Sequence, residues 1–209
     1  MAYPIARHFI PRFLKFFIRS ISGLENIPKE GSYIIACKHT GTLDGIFIAS
    51  VIISKVKRKL HFISNVRKRG WFWKKPIFER WAGSIQFDKT NPSKCLETAM
   101  EYLKKGEIVG IFPSGLLQES DKMRKRGKTG VARLALWSQM PVIPVGLHNF
   151  HVVKRGAMII KHLMNPHNMR ITIGQPMTFP DAYNKPITHD LLREVTRRVV
   201  NRLEELSAK

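Results

Sequence analysis

His39 and Asp44 stand five residues apart in the run KHTGTLDG. A neutral imidazole can take a proton from a reacting hydroxyl. A carboxylate behind it fixes the tautomer and stabilises the imidazolium that forms. Of the eight histidines, this is the one with an aspartate five positions on. The pair falls where an apolar run, SYIIACKH, gives way to a helical pattern, GTLDGIFIASVIIS. Such strand-to-helix corners present side chains to the crevice where α/β proteins bind ligands. The same pair also fits a surface histidine beside a helix-capping aspartate, and at this point both readings are open.

Cys37 lies two residues before His39, so a strand would turn both to one face. A thiol nucleophile needs a neighbour that lowers its pKa, and none is evident. A small buried apolar thiol is the expectation. His148, His151, His162 and His167 are scattered late in the chain, without the carboxylate or thiolate company of a metal site. No metal site is expected.

The elements that must position the pair follow from hydropathy periodicity. SYIIACKH, KLHFISN, GSIQFD, EIVGIFP, PVIPVGL and MRITIGQPM read as six strands. Helical patterns cover 41–54, 93–105, 127–138 and 189–206, and a short helix is expected within 74–81. Ser93 is the expected cap of the second helix and Gly106 its stop. Leu192, Val195, Val199, Leu203 and Leu206 make a core-facing stripe on the last helix. Strands alternating with helices predict an α/β fold, with a central, mostly parallel sheet flanked by helices. No repeat, low-complexity tract or interdomain linker interrupts the pattern.

The chain has 209 residues, enough to bury a core without staples. Two cysteines exclude a disulfide scaffold. Lysine and arginine total 36 against 15 acidic residues, a formal charge of +21. At 44% hydrophobic residues this is no disordered polyelectrolyte. It is a folded protein with an acidic partner: nucleic acid, anionic lipid or an acidic carrier protein.

The first 22 residues, MAYPIARHFIPRFLKFFIRSIS, lack a signal-peptide cleavage site, and no stretch of about 20 apolar residues could span a bilayer. At 100° per residue, His8, Arg12, Lys15 and Arg19 share one narrow face. Phe9, Phe13, Phe16, Phe17 and Ile21 occupy the rest, with Arg7 as an exception and Pro11 as a kink. A basic, aromatic amphipathic helix suits a membrane interface. A first helix docked on the core is the alternative, and the cluster of Phe13, Phe16 and Phe17 favours the interface.

Two basic stretches extend this theme. Residues 55–75 carry nine lysines and arginines, no acid, and Trp71, Phe72 and Trp73. Interfacial tryptophans among cations suit anionic lipid; they also suit single-stranded nucleic acid. The second stretch runs from Lys122 to Lys128 and includes Arg126, just before a helix expected to open near Gly127. Cations at a helix N-terminus bind phosphate, whereas a solvated loop is the plainer alternative.

Read in order, four blocks resemble the PlsC-like glycerolipid acyltransferase superfamily, the lysophosphatidic acid acyltransferases and their lysophospholipid relatives. His39 and Asp44 match its H-x4-D. GSIQFDK, with Gly83, Ile85, Asp88 and Lys89, is similar to G-x-I-x-x-D-R. FPSGLLQ, with Phe112, Pro113, Ser114 and Gly115, resembles F-P-E-G-T-R. Val142, Ile143, Pro144 and Val145 match V-I-P-V. RKRGKTGVARLAL resembles the Lys-Gly and Ala-rich helix between the last two blocks, and the likeness spans roughly 24–175.

The resemblance implies an acyltransferase domain over 23–209, behind an anchoring helix over 1–22. It implies direct transfer of a fatty acyl group from acyl-CoA or an acyl carrier protein to the hydroxyl of a lysophospholipid, with 1-acyl-glycerol-3-phosphate the leading acceptor. His39 would be the general base and Asp44 its partner. Asp88, Lys89, Phe112, Pro113, Ser114 and Gly115 would bind substrate, and backbone N–H groups near Gly115 are candidate oxyanion donors. Arg126 and Lys128 are candidate phosphate or headgroup contacts. No bound cofactor is implied. The implied location is the cytoplasmic face of a membrane, on anionic lipid, with Phe13, Phe16, Phe17, Trp71 and Trp73 at the interface.

This chain departs from the pattern at Ser114, where the family usually has Glu, at Leu116 and Leu117 in place of Thr and Arg, and at Lys89 in place of Arg. Lysine keeps the charge but not the bidentate fork that suits phosphate. Another lysolipid, a glycolipid or an amino lipid is therefore the rival acceptor. From other classes, a nucleic-acid-binding protein would explain the charge but lacks a recognisable motif, and a non-catalytic lipid-binding relative would keep the blocks without turnover.

Overall fold

The structure is a computed structural model and describes residues 16–39, 44–64, 83–88, 90–114, 125–148 and 169–208. In chain order its strands are β1 (Ile18–Ser22), β2 (Tyr33–Cys37), β3 (Leu60–Ser64), β4 (Ile85–Gln86), β5 (Ile108–Ile111), β6 (Val142–His148) and β7 (Met169–Ile173). Its α-helices are α1 (Asp44–Val56), α2 (Pro92–Lys104), α3 (Gly130–Ser138), α4 (Pro180–Tyr183) and α5 (His189–Ala208). The strands form one sheet in the order β1-β7-β6-β2-β5-β3-β4. From β6 to β4 all neighbours are parallel; β7 is antiparallel to β6, and β1 runs parallel to β7. This is the expected mostly parallel α/β sheet.

β2 lies at its centre and is buried along its whole length. Alternate residues serve two cores. Ile35 and Cys37 pack with Phe47, Ile48 and Val51 of α1. Ile34 and Ala36 pack with α2, α3 and α5 on the other face. A near-continuous apolar run is what a parallel strand covered on both faces requires. The apolar stripe of α5 is buried as its spacing predicts.

β1 corrects one expectation. Residues 18–22 are not the end of an amphipathic helix. They form an edge strand on β7. The register skips between Ile18 and Ser20, a bulge that passes over Arg19. The bulge brings Ile18 and Ile21, three residues apart, into the same core. Their spacing imitates a helix for that reason. Phe17 is corrected with it: the ring is 8% exposed and meets Phe47 edge-on, centroids 6.4 Å apart, so it is a core residue rather than an interface anchor. Phe16 beside it is 54% exposed. Residues 1–15, including Phe13, lie outside the described residues, as does the helix expected within 74–81.

Two helix starts also differ. Asn91, not Ser93, caps α2: its side-chain oxygen accepts from the Lys94 N–H at 3.3 Å, because Pro92 takes the first helical position. α3 opens at Gly130 rather than near Gly127, because Gly127 is left-handed (φ 68°) and cannot continue a helix. α4 carried no recognised signal.

Candidate active site

β2 ends at Cys37, and the next two residues carry the chain off the carboxyl end of the sheet to His39. Asp44 opens α1, where the positive end of the helix dipole favours a carboxylate. Its Oδ2 lies 3.0 Å from His39 Nδ1. A carboxylate only accepts, so Nδ1 is the donor and Nε2 carries the lone pair. The Asp44 side chain is wholly buried while that of His39 is 19% exposed. The imidazole can be reached and the carboxylate behind it is shielded.

His39 is held from two further directions. Its ring stacks on Phe112 (centroids 4.3 Å, planes 28° apart), and Phe112 stacks on Phe62 (5.1 Å, 14°). The main-chain N–H of His39 donates to Ser114 Oγ at 3.3 Å. The first and third sequence blocks therefore meet through His39, Asp44, Phe112 and Ser114. Lys38 adds an ion pair to Glu204 of α5 at 2.5 Å, which ties the same segment to the far helix.

Cys37 stays a thiol. It is fully buried, and burial first, then the Asp44 charge, push its pKa well above the ordinary value. A nucleophilic thiolate is disfavoured there.

Pro113 links this cluster to the second basic stretch, its carbonyl accepting the Lys128 N–H at 2.6 Å. Arg193 of α5 donates to the carbonyls of Arg126 and Gly127 and so fixes the loop. Burial, then the nearby Arg126, lowers the Arg193 pKa. A Cβ on Gly127 would come within 2.7 Å of Val200, so glycine lets the loop sit against α5. The Arg126 and Lys128 side chains are exposed.

Asp88 follows β4 at the same end of the sheet. Its Oδ1 accepts from Thr90 N–H (2.9 Å) and Thr90 Oγ1 (2.7 Å). Three inter-strand steps separate β4 from β2, about 14 Å. Asp88 is thus on the carboxyl edge with His39 but several strands along it. Lys89, Gly115, Trp71 and Trp73 lie outside the described residues, with His151, His162 and His167. His148 bonds the Ser207 carbonyl at 3.0 Å. Among the described residues, no group of three or more potential ligands could hold a metal, and no helix is long and apolar enough to cross a membrane.

Sequence reasoning missed the support behind Phe112. Gly110 was its one signal, a glycine inside the strand IVGI. A Cβ there would meet the Phe62 ring at 2.5 Å. Lys38–Glu204 had no signal, since the partners are 166 residues apart.

A family model described as Acyltransferase matches residues 19–148. The 1-acyl-sn-glycerol-3-phosphate acyltransferase of Bacillus subtilis is 29% identical over 194 residues, covering 88% of this chain and 86% of its own. The enzyme of the same name from Pseudomonas aeruginosa is 32% identical over 140 residues, covering 62% of this chain and 48% of its own. The crystal structure of the 1-acyl-sn-glycerophosphate acyltransferase PlsC from Thermotoga maritima superposes with a TM-score of 0.62 at 24% identity. It covers all of this chain and 83% of that one, a likeness of fold.

Proposed function

The chain belongs to the Acyltransferase family and is an acyltransferase; from that premise we propose that it moves a fatty acyl group from an acyl thioester to the hydroxyl of a lysophospholipid at a membrane surface. The observation that carries the reading is the 3.0 Å bond between His39 Nδ1 and the buried Asp44 carboxylate. Nε2 takes the proton of the acceptor hydroxyl as its oxygen attacks the thioester carbonyl. The tetrahedral intermediate collapses, the C–S bond breaks, and the imidazolium returns the proton to the departing thiolate. Asp44 holds the tautomer and steadies the imidazolium. Backbone N–H groups near Gly115 are the candidate donors to the oxyanion.

The leading acceptor is 1-acyl-glycerol-3-phosphate, from the names of the sequence relatives. The donor is acyl-CoA or an acyl carrier protein, bound as substrate. Asp88 and Lys89 would hold the headgroup, with Arg126 and Lys128 as further phosphate contacts. The charge of +21 and the exposed Phe16 support a peripheral site on anionic lipid, at the cytoplasmic face. A second acceptor reading follows from Ser114. Its hydroxyl bonds the His39 backbone, and no carboxylate stands at that position. A lysolipid with a different headgroup is the acceptor on that reading.

The test is transfer of a labelled acyl chain, CoA-linked and carrier-linked, to a panel of lysolipids on anionic vesicles. Wild type should transfer to lysophosphatidic acid, and His39→Ala should lose at least about 10³-fold while still binding vesicles. A fully active His39→Ala would remove the mechanism. A strong preference for another headgroup would select the second reading, and no transfer to any acceptor would point to a non-catalytic lipid binder.

A further inference from the structure

We propose that His61, outside the reacting pair, is a positioning residue for the acceptor: with Glu107 it clamps the carbonyl of Gly83 and so holds the segment that delivers Asp88. The inference rests on the acceptor reading above.

β4 has only two residues, pairs with β3 at two positions and lies at the edge of the sheet. So short an edge strand holds itself weakly. At its far end the Phe87 N–H donates to the Ser64 carbonyl at 3.0 Å. At its near end the chain passes Gly83, whose carbonyl lies 2.7 Å from His61 Nδ1. His61 sits on β3 and is buried. Its Nε2 bonds the Glu107 carboxylate, and its ring stacks on Tyr102 of α2, centroids 3.8 Å apart and planes 13° apart. One ring therefore ties the entry to β4, the approach to β5 and the end of α2 together.

The chemistry of the ring makes this more than packing. A carbonyl only accepts, so Nδ1 donates its N–H to Gly83, while Nε2 pairs with the Glu107 side chain. A buried polar group with every bond satisfied fixes geometry that an apolar residue would leave loose. Neighbouring residues of β3 divide the work. Phe62 points to the opposite face and backs Phe112, which stacks on His39. His61 backs the acceptor segment. Loosening the clamp should let Asp88 shift, weakening acceptor capture without disturbing His39.

His61→Phe keeps a ring to stack on Tyr102 and removes both hydrogen bonds. Glu107→Gln keeps both, because its amide N–H can donate to a neutral ring at Nε2 while Nδ1–H still reaches Gly83. Glu107→Leu removes the outer support at a side chain 38% exposed, where the fold tolerates change. With lysophosphatidic acid in anionic vesicles and acyl-CoA, His61→Phe should raise the acceptor KM roughly tenfold, the scale of the one bond to Gly83 that holds the acceptor segment. Its kcat and donor KM should stay within about twofold, and Glu107→Gln should stay near wild type.

An unchanged acceptor KM in a folded His61→Phe, or both KM values rising together, overturns the proposal. Should His61→Phe fail to fold, hydrogen exchange decides. The Phe87 amide should exchange faster in Glu107→Leu than in Glu107→Gln, and equal rates overturn the clamp. A wild type inactive on every lysolipid defeats the functional reading, while the exchange comparison still judges the clamp.

Discussion

On the proposed mechanism, Asp44 is the residue on which the chemistry turns. Its buried carboxylate accepts from His39 Nδ1 and so leaves the lone pair on Nε2. Asp44→Asn keeps the size but can present an amide N–H to Nδ1, which would move the ring proton to Nε2 and block the base. Transfer should fall ~10³-fold, with vesicle binding intact and the melting temperature little changed. Single-turnover transfer beside a thermal melt checks this, and a rate within about threefold of wild type would remove His39 from the base role. Ser114 acts at the same scale. Its hydroxyl accepts the His39 main-chain N–H, so the departure from the family's glutamate sits against the His39 segment itself.

At the scale of elements, β1 decides how residues before the domain are read. Phe17 enters the core beside Phe47, while Phe16 next to it stays half exposed. Phe17→Ala should therefore cost about 3–4 kcal/mol of stability, as a buried aromatic truncation does. Phe16→Ala should stay within about 0.5 kcal/mol and instead weaken binding to anionic vesicles. Urea unfolding and vesicle sedimentation of the two variants separate the roles. Equal stability losses would mean that neither ring faces the lipid. The helical placing of Arg19 and Ile21 misled because a bulge at Arg19 resets the alternation of an edge strand. A bulge depends on the neighbouring strand, which is β7, nearly 150 residues later.

For the whole molecule, the central strand sets an alkaline limit. β2 buries both Tyr33 and Cys37. Burial raises the Tyr33 phenol from 10.0 to about 12, opposed by Arg58, and raises the Cys37 thiol well above 9.0. Each group keeps its proton in the folded state after the unfolded chain has released it. The stabilisation is complete below those ordinary values and is lost as pH climbs through them toward the folded ones. The unfolding free energy from urea titration should thus decline above about pH 9, by up to about 1.4 kcal/mol per pH unit for each proton, and the midpoint with it. Cys37→Ala should flatten the first part of the decline and Tyr33→Phe the part from 10 to 12. A wild-type midpoint flat from pH 8 to 11 would contradict this burial.

The sequence by itself determined the alternation of strands and helices, the parallel sheet and the pairing of His39 with Asp44. Each rests on local periodicity or on residues a few positions apart. Asn91 shows the limit even of local signals: two hydrogen-bonding residues flank Pro92, and the fixed proline ring chose the earlier one as the cap. Only the tertiary structure decided that β1 joins the sheet, that Phe62 stands behind Phe112, that Lys38 reaches Glu204 and that His61 holds Gly83. These partners are separated by 22 to 166 residues or lie on different elements. Their contacts arise from strand order and helix packing, and no pattern along the chain encodes which strand will lie beside which.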